Sequence, residues 1–413
     1  MAGIWRVTVL ALMLLGGVAQ AAPLPLQRGV NIHEWLNWSP LEPDGSYRWP
    51  PYRPVAEWLS GSRPLSDWPD SDPFASIRAL GFDYVRLTVD PGPLLASSGD
   101  RRQEALAVLA DAVQQLLAAG LKVVLNLHSV SQVPQYGMAI VNGPAGSEAI
   151  AGYIAMTADV ARMLAPLGAE RVAFEPYNEP AHYPCDASGS EDWQQIMAAT
   201  VAAVRAVSTE LTLVATGGCG GSVTGLTDLR PEFDDPNLIY SFHMYEPHSF
   251  THQRAESETD FASGLPWPAG AGSAELTVEM LKAHMMAAGL SEAEQARNLA
   301  AVGGAIDEYF AEDWGEAQVT ARIGEAVDWA KANGIPARRL FMGEFGAILM
   351  SPDGRMGAFN ADRLRYLTAV RQAAEAQGIA WAIWEYANPY GMSVIVPTGK
   401  AEPDRQMLGA LGL

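Results

Sequence analysis

The sequence predicts an α/β fold, a (β/α)8 TIM barrel with a long insertion between strands six and seven. Eight short apolar runs rich in β-branched residues recur along the chain with alanine-rich helical stretches between them. Strands alternating with helices imply a parallel sheet, and eight such units fit a closed barrel. An open doubly wound sheet would carry a glycine-rich phosphate turn after its first strand, and none follows His33.

In chain order, the first 15 residues carry one cation, Arg6, before an apolar run that ends at Leu15 and a small-residue stretch that ends at Ala21. That pattern is a secretory signal peptide over residues 1–21, and its apolar core is shorter than the roughly 20 residues of a spanning helix. Residues 22–413 are then expected to form a single catalytic domain, a monomer acting in the periplasm or secreted. No later segment reads as a membrane span. Strands are predicted at 27–33, 83–89, 122–128, 171–179, 211–217, 238–245, 339–345 and 380–386. Helices are predicted at 102–119, 146–167, 191–208, 320–333 and 361–377.

Two connections are unusually long. The loop at 34–73 carries Trp35, Trp38, Trp49, Trp58 and Trp68 with Tyr47 and Tyr52. Sugar rings stack on such planes, so one or two are expected to touch a carbohydrate while the rest pack the loop. The segment at about 246–316 far exceeds a barrel loop of a few residues and is expected to form a helical cover, either structural packing or a substrate lid.

Composition narrows the partners. The 47 acidic residues against 27 basic ones give a formal net charge of -20, which disfavours nucleic acid and anionic lipid and suits a neutral polysaccharide or oligosaccharide. The two cysteines, Cys185 and Cys219, both follow predicted strands; a bridge and two unpaired thiols are equally open.

A barrel of this class places its site at the carboxyl ends of its strands, so polar residues ending apolar runs are the candidates. Six strands supply them: Arg86, His128, Asn178-Glu179-Pro180, His243-Met244-Tyr245, Gly343-Glu344-Phe345 and Trp384-Glu385-Tyr386. One such residue alone is more often a solvated strand end than a catalyst, but six together point to a site. Two carboxylates on opposite walls suit glycosidic bond cleavage, with Glu179 as acid and Glu344 held ionised by Arg86 and Tyr245. His243, His248 and His252 with Glu246 lack the helical His-Glu-x-x-His spacing of zinc enzymes, and no Gly-x-Ser-x-Gly follows a strand. No metal and no cofactor are expected.

The ordered set resembles glycoside hydrolase family 5, over roughly residues 26–390. The resemblance rests on Asn178-Glu179-Pro180 and Gly343-Glu344-Phe345-Gly346, with Arg86, His128, His243, Tyr245 and Trp384 in the expected order. It implies a retaining enzyme with Glu179 as acid/base, Glu344 as nucleophile, Asn178 on the 2-hydroxyl and the other five as support. The sequence departs from the family at Asn31-Ile32-His33-Glu34-Trp35, where many relatives carry glycine near His33; His33 and Trp35 are expected to form that altered wall. The expected activity is endo-β-1,4-glucanase. An exo-acting β-glucosidase, a mannanase and an envelope-glucan transglycosylase would share these residues, and a catalytically idle polysaccharide-binding accessory protein is the alternative of another class.

Overall fold

A computed structural model describes residues 22–69, 72–182, 189–233, 235–253, 263–349, 357–388 and 391–413. The expected signal peptide at 1–21 and Cys185 lie outside them.

Eight parallel strands close into a barrel in sequence order: β1 (Arg28–Leu36), β2 (Tyr84–Val89), β3 (Lys122–Leu127), β4 (Val172–Glu175), β5 (Thr212–Thr216), β6 (Leu238–Met244), β7 (Leu340–Phe345) and β8 (Ala380–Ile383). The expected fold class is therefore observed. Predicted strands four and eight run several residues too long, because Asn178-Glu179 and Trp384-Glu385 leave the hydrogen-bonded ladder to form the mouth. The main outer helices are α1 (Pro73–Ala79), α2 (Gly99–Ala118), α3 (Glu148–Leu164), α4 (Asp192–Arg205) and α5 (Val223–Asp228), followed after β6 by α6 (Ala274–Ala287), α7 (Glu292–Ala311) and α8 (Glu316–Ala332), and then by α9 (Asn360–Ala376). Among the described residues between β6 and α8, α6 packs on α7.

The period of two along a strand divides the apolar residues into two cores. Val85, Leu87 and Val89 of β2 and Val123, Leu125 and Leu127 of β3 face the helices in the large outer core. Tyr84, Val124, Ala173, Val214, Ile239 and Phe341 fill the barrel's own interior near its amino-terminal end. Gly29 makes room there, since a Cβ at that position would lie 2.2 Å from the Tyr84 ring. Above this plug the same inward positions turn polar with Asn31, Arg86, Asn126, Glu175 and Ser241, all inaccessible to solvent.

One expectation about membrane spans is corrected. The segment Glu148–Leu167 is long and apolar enough to cross a bilayer by length and composition. It holds a barrel helix whose Ile150, Tyr153, Met156, Val160 and Leu164 are buried on the strands, which accounts for its apolar character.

Candidate active site

The strand ends converge on a cavity of about 610 Å³ bordered by His128, Glu179, His243, Tyr245, Glu344 and Trp384 among others. Arg86, pointing up from the middle of β2, organises its floor. The guanidinium donates through Nη1 to Glu344 Oε1 at 2.6 Å and to Asn31 Oδ1 at 3.0 Å, through Nε to Glu175 Oε2 at 2.6 Å, and through Nη2 to Asn178 Oδ1 at 2.8 Å. This planar fork positions Glu344 and Asn178 at once, which a lysine could not do. Asn31 in turn donates to the carbonyls of Gly343 and Ile383, tying β1 to β7 and β8 beneath the site.

A bulge sets the height of Glu344. The β6–β7 ladder slips between Phe242 and His243, so that His243 pairs with Glu344 and Gly343 is the extra residue. A Cβ on Gly343 would lie 3.1 Å from both His243 Nε2 and Ser241 Oγ, so the close approach favours glycine there. Tyr245, just past β6, donates its hydroxyl to Glu344 Oε2 at 3.0 Å. Both carboxylate oxygens of Glu344 thus accept from a named donor.

Glu179 sits differently. Its Oε1 is hydrogen-bonded to His243 Nδ1 at 2.6 Å, and oxygens of Glu179 and Glu344 with a His243 ring nitrogen all lie within 4.8 Å of one another. The side chain retains 37% of its accessible surface, yet the carboxyl lies within the concavity. Loss of hydration pushes its pKa up to about 7, against the opposing pull of Arg86 and His248. Burial also raises Glu344 above the ordinary carboxylate value, opposed by His243 and by Arg86 in direct contact. Only Glu344 is bonded to a guanidinium, so of the pair it is the one whose anion is specifically stabilised.

The opposite wall is aromatic. His33 lies 4.7 Å from the Trp384 ring and 5.1 Å from His128, and His128 stacks on Trp384 at 5.8 Å and 24°. His128 Nε2 approaches Asn178 Nδ2 at 3.3 Å, and His33 Nδ1 approaches Thr88 Oγ1 at 3.2 Å. Burial lowers the pKa of His128 and His243, the latter against the pull of Glu344, and brings that of His33 down to about 3.

Nine of the ten residues singled out in the sequence therefore meet at the mouth or directly beneath it. Trp35 does not. It is 2% exposed, stacks on Trp58 at 5.7 Å, packs on Phe74 and donates its indole N–H to Arg53 O at 2.8 Å. The ladder irregularity after Ile32 and the positive φ of Glu34 turn Trp35 toward the outer helices and leave His33 facing inward. Among the loop tryptophans Trp38 is the one against the site, edge-on to His33, while Trp58 and Trp68 are buried and Trp49 bonds Glu104. Trp35→Ala is expected to destabilise the fold by about 3–5 kcal/mol, as core tryptophan truncations do, with KM unchanged in the folded fraction. Denaturant unfolding beside saturation kinetics checks this; a raised KM at full stability would return Trp35 to the site.

Asn31 and Glu175 were missed from the sequence. Both are polar residues at inward positions above the plug, Asn31 between Val30 and Ile32 and Glu175 after the apolar Val172-Ala173-Phe174. The Glu179, His243 and Glu344 group has the spacing to hold a cation, while Glu344 is already engaged by the Arg86 guanidinium, whose positive charge beside it opposes a second cation. His248 and His252 stack on each other at 3.8 Å beside the pocket. Cys219, after β5, is disulfide-bonded.

A family model described as Cellulase (glycosyl hydrolase family 5) matches residues 58–389. The chain is 28% identical over 254 residues to endoglucanase 3 of Fibrobacter succinogenes, covering 60% of this chain and 34% of that protein. It is 27% identical over 192 residues to endoglucanase C of Acetivibrio thermocellus, covering 44% of this chain and 51% of that one. The chain thus spans about a third to a half of the length of these relatives. Its fold is similar to that of Thermotoga maritima Cel5A, solved with cellobiose, at a TM-score of 0.63 and 19% identity over 94% of this chain and 97% of that one. The same enzyme has also been solved with mannotriose.

Proposed function

Because the chain belongs to glycosyl hydrolase family 5, we propose that it hydrolyses a β-linked glucan by retaining double displacement, as an endo-β-1,4-glucanase. The observation that carries this is the unequal treatment of two facing carboxyls: Glu344 bonded to Arg86 and Tyr245, and Glu179 bonded to His243 with its pKa near 7. Glu344 attacks the anomeric carbon as Glu179 gives its proton to the departing glycosidic oxygen, and a glycosyl ester forms on Glu344. Glu179, now a carboxylate, takes a proton from water as that water attacks the same carbon and releases Glu344. Oxygens within 4.8 Å favour this over inversion, which keeps the two groups about 6.5–9.5 Å apart to admit a water. Asn178, held by Arg86, is positioned for the 2-hydroxyl of the sugar under attack.

The endoglucanase names of two relatives support internal cleavage, and Cel5A solved with mannotriose keeps mannan as a second substrate class. Action outside the cytoplasm is part of the same proposal, supported by the leader-like residues 1–21 and by the disulfide at Cys219. The test is viscosity loss measured against reducing-end release on a soluble β-1,4-glucan, with mannan in parallel. Rapid viscosity loss is expected; glucose as the sole early product would replace internal with terminal cleavage.

The pH profile follows from Glu179. The reaction needs its proton, so kcat/KM is expected to fall as pH rises through about 7. On the acid side the rate falls as Glu344 takes up a proton, at a pH above that of an ordinary carboxylate. In Glu179→Gln the alkaline limb should disappear; its persistence would mean another group donates the proton.

A further inference from the structure

The β6–β7 insertion builds a second cavity, of about 530 Å³, beside the catalytic pocket. Glu246, His248 and His252 border both, so the two spaces share a wall. That wall is braced, since Arg322 pairs with Glu246 at 2.9 Å and the two imidazoles lie parallel within 8°. The far side is α7, whose Ala301 and Ala305 stand exposed one turn apart, with Val302 and Ile306 beside them and Trp314 also lining the cavity. The carboxylates of Glu308 and Glu312 line the same cavity and are solvent-exposed.

The barrel order gives the groove its direction. Glu179 follows β4 and Glu344 lies on β7, so the line between them divides the ring of strands into two arcs. One arc, β8 through β3, carries Trp384, His33, Arg86 and His128. The other, β5 and β6, opens past Gly220 and Ser222 onto His248 and the insertion. A chain threaded between the carboxyls must lie with one end over each arc. Asn178 contacts Arg86 and His128 on the first arc, so the sugar under attack belongs there and the departing chain leaves over the second.

Resting on the retaining-glucanase reading, we propose that the insertion groove binds the departing side of a β-linked glucan, beyond the sugar next to the cleaved bond. The axial-hydrogen faces of such sugars fit the alanine and valine floor and the His248, His252 and Trp314 planes, and their hydroxyls can donate to Glu308 and Glu312 at the rim. The insertion then lengthens the cleft.

Ala305→Trp and, independently, Ala301→Phe fill the groove from exposed positions remote from the carboxyls. For each, kcat/KM on cellohexaose is expected to fall about tenfold, the scale of one filled or blocked contact in a pocket. On nitrophenyl cellobioside, whose departing ring is too short to reach the groove, it should stay unchanged, and Ala305→Ser should match the parent on both. If the tryptophan variant does not fold, the phenylalanine variant decides. Equal loss on both substrates, or no loss on cellohexaose in folded variants, overturns the groove and leaves the activity standing. A parent protein inert on cellohexaose, soluble β-glucan and the aryl glycoside overturns both.

Discussion

Replacing Glu344 with glutamine is expected to lower kcat on β-glucan by about 10⁴-fold or more, the scale of losing a covalent nucleophile. Binding should survive, because the amide keeps the shape: its oxygen can accept from Arg86 and its NH2 can donate to the Tyr245 hydroxyl, in place of the carboxylate contacts at 2.6 and 3.0 Å. The loss should be as deep on activated aryl glycosides as on glucan, since no leaving group, however good, replaces the attacking atom. In Glu344→Gly, azide can enter the space vacated by the side chain and attack directly, giving a glycosyl azide of inverted configuration. Steady-state kinetics with calorimetric binding, and the anomeric configuration of the azide product, read this out. A variant that kept more than about a hundredth of parental kcat would exclude Glu344 as nucleophile.

Glu179→Ala is expected to show the opposite dependence on the leaving group. Proton donation to the glycosidic oxygen contributes about 10²–10⁴-fold, and that much should be lost on glucan. A nitrophenolate departs without a proton, so the first step on its glycosides should remain fast, seen as a burst of nitrophenol. The second step still lacks its base, and the steady state should be slow until azide, which needs no deprotonation, restores it as a product of retained configuration. Removal of Glu179 also frees His243 Nδ1, bonded to it at 2.6 Å, so the alkaline limb of the pH profile should go with it. Equal loss on glucan and on activated substrates, with no burst, would remove the acid/base assignment.

Much of this was legible in the sequence because barrels place their chemistry at strand ends. His128, Asn178, Glu179, His243, Tyr245, Glu344 and Trp384 are polar or aromatic residues at or just past the ends of apolar runs, Arg86 interrupts one from the middle of β2, and the structure brings them to the mouth or directly beneath it. Trp35 failed for a local reason: the irregularity after Ile32 reverses the facing of the residues that follow, and a one-residue shift exchanges the two faces of a strand. Asn31 sits within β1 and Glu175 closes β4, and the same period of two carries both inward beneath the visible residues. The second cavity was beyond sequence altogether, since it depends on how α7 docks against His248 and His252, and alanines on a helix announce nothing about the space above them.

The connection of Arg86 to both Glu175 and Glu344 has a consequence in charge terms. One guanidinium faces two carboxylates, at 2.6 Å each, with both acidic side chains almost wholly buried. Glu175 suffices to neutralise it, so ionised Glu344 leaves the barrel centre one unit negative where a sugar ring passes through its oxocarbenium-like state. An uncharged ground-state ring gains little from that surplus, whereas the flattened cation gains much, which is the differential binding that catalysis requires. Once Glu344 is esterified, Arg86 and Glu175 remain as a balanced pair and the negative unit resides on Glu179, which has given up its proton. The folded protein thus carries one surplus negative charge at rest, which meets the fleeting positive charge of the ring and is then handed across the cleft to Glu179, the group that must next take a proton from water.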